Sequence, residues 1–222
     1  MLRFIARISG IVFGLFLYAL GLLLGIEANI GYAPWEVFHV GLSKTTGLSI
    51  GTVIILSGLF IVVLVTVLGE KFGLGTILGV VLTGSFIDLI MYFDNRFAII
   101  PKPGNLLTGA LMLVAGLFII AFGIFFYMGA AMGAGPRDNL MVVVARRTRF
   151  SVGICRGAVE LTVTVVGWLL GGMVGLGTVI SVVAIGFCVQ ITFKLLKFDP
   201  TVIKHERLDE TFKALFGKKD SQ

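Results

Sequence analysis

The stretch Gly73-Leu74-Gly75-Thr76 returns unchanged 102 residues later as Gly175-Leu176-Gly177-Thr178. Working outward from these two copies, an ungapped match aligns residues 11–91 with residues 113–193, and its identities cluster at glycines and in loops. Self-similarity at a fixed offset indicates a duplicated structural unit. The sequence therefore predicts two halves with the same order of elements.

The composition is that of a membrane protein. The 222 residues are 57% hydrophobic and 14% charged, whereas soluble domains are about half apolar and about a quarter charged. A large soluble catalytic module is therefore excluded. Apolar runs of about 20 residues mark membrane-spanning helices, and six are present, at 8–27, 50–69, 74–93, 108–130, 152–171 and 175–195. We predict an all-α polytopic domain over residues 1–195 and a cytoplasmic amphipathic tail over 196–222.

The basic residues predict the orientation in the membrane. With the N-terminus inside, the external segments hold only Lys44, Arg96 and Lys102. The cytoplasmic segments hold the tail lysines together with Arg3, Arg7, Lys71, Arg137, Arg146, Arg147 and Arg149. The positive-inside rule then places both termini in the cytoplasm. The formal charge of +6 is explained by this asymmetry, and we expect no nucleic-acid partner.

Each half contains three spans, so the second half crosses the membrane in the opposite sense to the first. This is an inverted-topology repeat, which is widespread among secondary transporters. In the alternative, the connections after the first and fourth spans also cross the membrane, which gives four spans in each half and a parallel repeat. Residues 34–46 as a helix would cover about 20 Å, against a hydrocarbon core of about 30 Å, which favours six spans.

A proline motif follows the first span of each half, as Gly31-Tyr32-Ala33-Pro34-Trp35-Glu36 and Gly133-Ala134-Gly135-Pro136-Arg137-Asp138. Proline suits the first position of a helix and an acid suits its first turn, so each motif predicts the start of a short helix. These helices are either interfacial connectors or re-entrant half-helices that line a solute path from opposite sides. The candidate path residues here are Pro34, Glu36, His39, Pro136, Arg137, Asp138 and Asn139.

Further motifs accompany the proline loops. A Thr-x-x-Ser-x-Gly pattern occupies residues 46–51 and 148–153, and Gly-Trp-Leu-Leu-Gly-Gly occupies 167–172. Together these motifs resemble the bacterial YczE/YyaS/YitT-type integral membrane proteins over roughly residues 8–195. The resemblance implies a six-pass bacterial inner-membrane protein and brings no catalytic residues with it. Arg149 stands where the first copy has Gly47, so we expect the turn there to be altered.

Ionisable residues inside the spans are few, and each is costly in a membrane unless paired. Arg156 and Glu160 are four residues apart and can pair on one helix face. They form either a structural pair or a functional one, in which Glu160 carries a proton or another cation and Arg156 is its counter-ion. Asp88 and Gln190 are equivalent polar positions, which lie either at a central pathway or helix interface or, for Asp88, near the external face beside Asp94.

These features favour a transporter of an unidentified small solute, coupled to protons or another cation. The alternative is a non-transporting membrane factor that binds a cytoplasmic partner through residues 137–149 and the tail. We expect no enzyme, metal or cofactor, because a metal site needs three or more ligands and the spans contain no histidine. Ser49 and Ser151 predict helix N-caps. Pairs such as Gly10 and Gly14 fit internal packing or a homodimer equally well.

Overall fold

The computed structural model describes residues 2–70, 72–133 and 135–199, and every regular element within them is a helix. The eight helices are α1 (Leu2–Glu27), α2 (Pro34–Thr46), α3 (Ile50–Val67), α4 (Leu74–Phe97), α5 (Leu106–Gly129), α6 (Pro136–Thr148), α7 (Val152–Leu169) and α8 (Leu176–Leu195). All except α2 and α6 are long and apolar enough to cross a membrane. The six predicted spans and the two short helices are therefore confirmed.

The helix boundaries follow local chemistry. Pro34 and Pro136 occupy the first turns of α2 and α6, where a missing N–H costs nothing. The predicted N-caps are confirmed, since Ser49 accepts from the N–H of Thr52 and Ser151 from that of Ile154. The helix α4 continues to Phe97 rather than ending at residue 93, because a left-handed residue terminates it only at position 98.

The turn after α6 corrects one expectation. The replacement of glycine by Arg149 predicts an altered turn, but Arg149 takes φ 63° and ψ 10°, close to the φ 74° and ψ 5° of Gly47 after α2. Each donates its backbone N–H to a carbonyl four residues earlier, at 2.9 Å. The backbone hydrogen bond holds the same left-handed turn although a side chain is strained there.

The helices α1 and α5 pack closely in antiparallel orientation. Gly14 lies against Gly123, and Gly21 lies against Gly116. A methyl group added at Gly21 would be 2.5 Å from the carbonyl oxygen of Gly116, so only glycine permits this approach of the two backbones. Close contact through small residues is typical of helices packed in membranes.

Two loop contacts mark opposite ends of the antiparallel pair. After α1 ends, Ile30 accepts a 2.8 Å hydrogen bond from the N–H of Gly177 at the start of α8. After α5 ends, Met132 accepts a 2.7 Å hydrogen bond from the N–H of Gly75 at the start of α4. Met132 also packs with Ile11 near the beginning of α1. The two connections that lead into α2 and α6 therefore leave from opposite ends of the bundle.

The outer surface of the bundle is apolar. Large hydrophobic side chains are exposed on every one of the six long helices, including Phe13, Phe60, Leu89, Leu107, Leu169 and Phe187. A soluble protein rarely exposes apolar surface on this scale. These helices imply contact with the lipid bilayer.

The packing of the two halves differs at one place. Gly51 of α3 lies directly against Gly84 of α4, whereas a methyl group added at Gly153 of α7 or Gly186 of α8 would meet nothing within 4 Å in the described part of the chain. The helix α7 instead packs along α2, with Gly167 against Phe38. The predicted amphipathic tail falls largely on residues 200–222, which lie outside the described residues, as does Lys71.

Candidate functional site

The first turns of α2 and α6 meet inside the bundle. The guanidinium carbon of Arg137 lies 4.6 Å from the centre of the Trp35 ring, and its Nη1 atom lies 3.7 Å from Oε1 of Glu36. Arg137 of α6 thus joins an aromatic face and a carboxylate that both belong to α2. The helix α2 is well enclosed, since Trp35, Glu36 and His39 are all more than nine-tenths buried.

This meeting limits how far apart the two helix starts can lie along the bundle. The part of α1 from Ile11 to Glu27 is about 24 Å long at 1.5 Å per residue, and the connections to α2 and α6 start at opposite ends of it. One arginine side chain nevertheless bridges the first turns of both helices. At least one of the two connections therefore runs inward along the bundle before its helix begins at Pro34 or Pro136.

Three buried polar atoms on α2 have no hydrogen-bond partner among the described residues. They are Nε1 of Trp35, Oε1 of Glu36 and Nδ1 of His39. The other ring nitrogen of His39 lies 3.2 Å from the hydroxyl of Ser57 on α3. Buried polar groups are normally satisfied, so a group of unpartnered atoms indicates a place for a ligand or water. We call Trp35, Glu36, His39, Ser57 and Arg137 the polar cluster.

Burial shifts the pKa values of Glu36 and His39, the two members of the polar cluster that titrate on α2. This short helix is not one of the six spans. Burial raises the pKa of the Glu36 carboxyl, and the positive charge of Arg137 opposes this rise. Burial also lowers the pKa of His39 well below its usual value, and Arg137 acts in the same direction. Desolvation penalises the charged form of each group. Glu36 therefore retains a proton more readily than a surface carboxyl, and His39 is neutral near pH 7.

Further charges adjoin the polar cluster. On α7, Nε of Arg156 lies 2.8 Å from Oε1 of Glu160, so the predicted pairing is present. Glu160 interacts electrostatically with Glu36. Tyr18, near the middle of α1, interacts with the charges of Glu36, Arg137, Asp138 and Arg156. The motif residues of both halves and the charge pair of α7 therefore converge beside the centre of α1.

Asp88 and Gln190 have other positions. One oxygen of Asp88 accepts a 2.6 Å hydrogen bond from the hydroxyl of Ser49, and the other accepts from the N–H of Gly51 at 2.8 Å. Asp88 thus binds the beginning of α3 and is not brought to Arg137. Gln190 is exposed on α8, and Asn139 lies in the first turn of α6, where its backbone N–H donates to the carbonyl of Gly135.

Sequence reasoning did not single out Trp35, Ser57 or Tyr18 as site residues. Trp35 lies between Pro34 and Glu36, and its position matches that of Arg137 at the 102-residue offset. The signal that points to it is this register. Ser57 and Tyr18 come from other helices, and no pattern within α1 or α3 marks them.

Comparisons with known proteins agree with the resemblance. A family model described as "Family of unknown function (DUF6198)" matches residues 5–194. The chain is 31% identical over 181 residues to an uncharacterized membrane protein, YczE, of Bacillus subtilis strain 168, covering 81% of each chain. It is 31% identical over 189 residues to an uncharacterized protein of Haemophilus influenzae, covering 85% of this chain and 84% of that one.

A more distant relative is the uncharacterized protein YyaS of Bacillus subtilis strain 168, which is 25% identical over 195 residues and is covered to 92% of its length, against 86% of this chain. No solved structure matches the chain. The family model spans all six candidate membrane helices, from the first turns of α1 to the last turn of α8. The chain therefore belongs to the DUF6198 family of membrane proteins, together with YczE- and YyaS-type relatives.

Proposed function

We propose that the protein is a secondary transporter that carries a small solute through the polar cluster by alternating access. The observation that supports this function most directly is the meeting of the α2 and α6 starts at Arg137, Trp35 and Glu36. Half-helices that begin near the middle of a bundle, beside buried charges, are typical of solute sites in transporters. Solute identity and coupling ion stay open within this proposal.

The proposal includes an inverted repeat of residues 11–91 and 113–193. At the offset of 102, the contact of Gly14 with Gly123 corresponds to the contact of Gly116 with Gly21. In the same way, the hydrogen bond from Gly75 to Met132 corresponds to that from Gly177 to Ile30. Reciprocal contacts of this kind support a two-fold axis that crosses α1 and α5 and relates the two halves.

The polar cluster fits that axis. Trp35 and Arg137 occupy equivalent positions of the two copies and lie against each other. Residues that are equivalent under a two-fold axis come into contact only beside the axis itself. In this arrangement α2 and α6 are re-entrant half-helices that approach from opposite sides, and the solute site lies at their junction.

The difference between the halves supports alternating access. The contact of α3 with α4 is closed at Gly51 and Gly84, whereas the equivalent positions of α7 and α8, Gly153 and Gly186, are open. In inverted-repeat transporters one unit moves against the other around a fixed site. We propose that the second half closes as the first half opens, and that this exchange turns the site from one side of the membrane to the other.

For the location we propose the bacterial inner membrane with both termini in the cytoplasm. In this orientation the start of α8 is external, and Arg7, which donates a 2.7 Å hydrogen bond to the carbonyl of Ala130, is cytoplasmic. Arg146 pairs with Glu70 and Arg147 donates to the carbonyl of Leu68. These two arginines therefore bind the end of α3, which favours transport over a partner-binding role for the α6 loop.

Accessibility of the polar cluster tests the proposal without knowledge of the solute. The variant Ser57→Cys, in a background with Cys155→Ser and Cys188→Ser, would be treated with a membrane-impermeant maleimide in spheroplasts and in inverted vesicles. Alternating access predicts labelling from both sides. Ser85→Cys on α4, at an exposed position on the outside of the bundle, is the matched control and should not react from either side.

The accessibility result decides between the two functions. Labelling of Ser57→Cys from one side only, or from neither, contradicts alternating access. The second readout is a comparison of solute uptake and export between cells with the wild type and cells with Glu36→Gln. We expect the carboxylate variant to lose flux of at least one solute while its folding and membrane insertion are retained.

A further inference from the structure

The place that Arg137 takes on α2 is built for a cation. Its guanidinium lies over the face of Trp35 at 4.6 Å and beside the Glu36 carboxylate at 3.7 Å. An aromatic face with a neighbouring carboxylate is the combination by which proteins bind guanidinium and ammonium groups. Arg137 therefore occupies this place in the manner of a bound cationic ligand.

The fit of Arg137 leaves hydrogen-bonding capacity unused. The 3.7 Å separation from Oε1 of Glu36 exceeds hydrogen-bond distance, and this oxygen has no donor within the described ranges. Glu36 is 5% exposed and His39 is 1% exposed, so solvent does not readily supply the missing partners. A ligand with N–H donors that approaches closer than Arg137 would satisfy the buried carboxylate.

The charges nearby favour a cation over an anion. Arg156 is already paired with Glu160 at 2.8 Å, so Arg137 is the cation that balances Glu36 across the half-helix junction. An anion bound here would meet the carboxylates of Glu36 and Glu160. A cation that displaces Arg137 instead restores the same balance, and the Arg137 side chain is 24% exposed, which gives it room to withdraw.

We propose that the solute is a small organic cation with a guanidinium or ammonium head group, and that it replaces Arg137 on the Trp35 ring and the Glu36 carboxylate. This inference rests on the proposed function and names its substrate class. Arg137 then acts as an internal competitor that occupies the site when no solute is bound. Removing its guanidinium should strengthen binding, which is the opposite of what an anion site would show.

Fluorescence of Trp35 tests the proposal as a binding measurement, independent of transport. The chain has two tryptophans, so Trp168→Phe, at an exposed position of α7, leaves Trp35 as the sole reporter. The purified full chain in lipid nanodiscs would be titrated with methylguanidinium or methylammonium at constant ionic strength. Acetate and methyl phosphate serve as anionic probes of similar size.

We expect a saturable change of Trp35 fluorescence with the cations and none with the anions. Adding Arg137→Ala should tighten cation binding at least five-fold, whereas Glu36→Gln should weaken it at least ten-fold. Arg146→Ala is the matched control, because it removes an arginine paired with Glu70 away from the polar cluster. Its cation affinity should stay within two-fold of the parent.

Two results would overturn the inference: saturable binding of an anion that Arg137→Ala abolishes, or no response to either cation in the parent and in Arg137→Ala. The thermal unfolding midpoint of each variant shows that it is folded. Labelling of Ser57→Cys from both sides together with a failed cation titration would retain transport and reject this substrate class. Cation binding without labelling from both sides would retain the cation site and reject alternating access.

Discussion

The hydroxyl of Ser49 donates a 2.6 Å hydrogen bond to Asp88, although 39 residues separate them in the chain. The second carboxylate oxygen of Asp88 accepts from the N–H of Gly51. One acid on α4 thus satisfies the beginning of α3, where backbone N–H groups lack helical partners. The contact also fixes the register at which Gly51 and Gly84 bring the two helices together.

Replacing Asp88 by alanine should therefore destabilise the protein. Loss of a charged hydrogen-bond acceptor at a helix N-terminus costs about 1–3 kcal/mol. We expect a lower unfolding midpoint for Asp88→Ala in detergent, measured by thermal unfolding. The equivalent substitution Gln190→Ala, at an exposed position of α8, is the control. Equal effects of both substitutions would contradict the capping role of Asp88.

The crossing of α1 and α5 predicts a contrast between two glycines on one helix. A methyl group at Gly21 would lie 2.5 Å from the Gly116 carbonyl oxygen, whereas one at Gly25 would lie 3.5 Å from its nearest neighbour, the end of the Leu113 side chain. Overpacking of this kind costs about 1–3 kcal/mol, so Gly21→Ala should unfold at lower temperature than the wild type.

Gly25→Ala is the matched control, because its added methyl group makes an ordinary contact and alanine favours a helix by up to about 1 kcal/mol over glycine. We expect its unfolding midpoint to equal or exceed that of the wild type. If Gly21→Ala were tolerated as well as Gly25→Ala, α1 and α5 would have to lie further apart than the contact of Gly21 with Gly116 requires.

The local part of the fold was predictable, because hydropathy and helix-end chemistry act over a few residues. The starts of α2 and α6 follow from Pro34 and Pro136, and the N-caps of α3 and α7 from Ser49 and Ser151. The site was predictable only in part. Glu36 and Arg137 were each singled out, but their meeting depends on how separate helices pack, which no local pattern contains.

The same reason explains why the contacts of Asp88 and Trp35 could not be predicted from the sequence. A carboxylate at two-thirds of a span is compatible with a pathway, with a helix interface or with the membrane surface, and only the position of Ser49 ties it to the cap of α3. A tryptophan next to a helix-starting proline fits an interfacial anchor equally well. Its role as a stacking surface depends on an arginine about a hundred residues away in the chain.

The stability of the folded protein should decrease as pH decreases, because of His39. Its pKa is lower in the folded protein than the usual value of 6.5, so the unfolded chain binds a proton that the folded chain excludes. This contribution is fully present above about pH 6.5 and is lost as pH decreases, by up to about 1.4 kcal/mol per pH unit. Glu36 acts in the opposite direction, because its pKa is raised in the folded protein.

Comparison of the wild type with His39→Gln isolates the imidazole, since Glu36, Arg137 and Glu160 are present in both. We expect the drop in unfolding midpoint between pH 7.5 and pH 5.5 to be smaller in His39→Gln, which keeps a polar group near Ser57. An equal drop in both proteins would show that His39 does not exclude a proton in the folded state.

The gap between Gly153 of α7 and Gly186 of α8 predicts a disulfide cross-link that forms only when the two helices approach each other. If the second half closes into the arrangement that the first half has here, Gly153 should approach Gly186 as Gly51 approaches Gly84, where an added Cβ would lie 2.1 Å or 2.4 Å from the opposite carbonyl oxygen. Two cysteines would therefore hold the helices slightly further apart, at the Cα separation of about 4.4–6.8 Å that a disulfide needs. The double variant Gly153→Cys with Gly186→Cys, in a background lacking Cys155 and Cys188, should then form a disulfide under mild oxidation. Neither added side chain meets a neighbour within 4 Å among the described residues, so folding should be retained.

A second pair, Leu161→Cys with Gly186→Cys, controls for random collisions. Leu161 is 67% exposed, and its equivalent at the offset of 102, Leu59, is also exposed on α3, so closure does not bring it to α8. Mass spectrometry of digested protein would quantify both disulfides. Because closure accompanies transport in the proposed cycle, the first pair should form much faster than the control. If the two pairs formed disulfides at equal rates, although both introduced thiols of each variant react with maleimide, α7 would not close on α8.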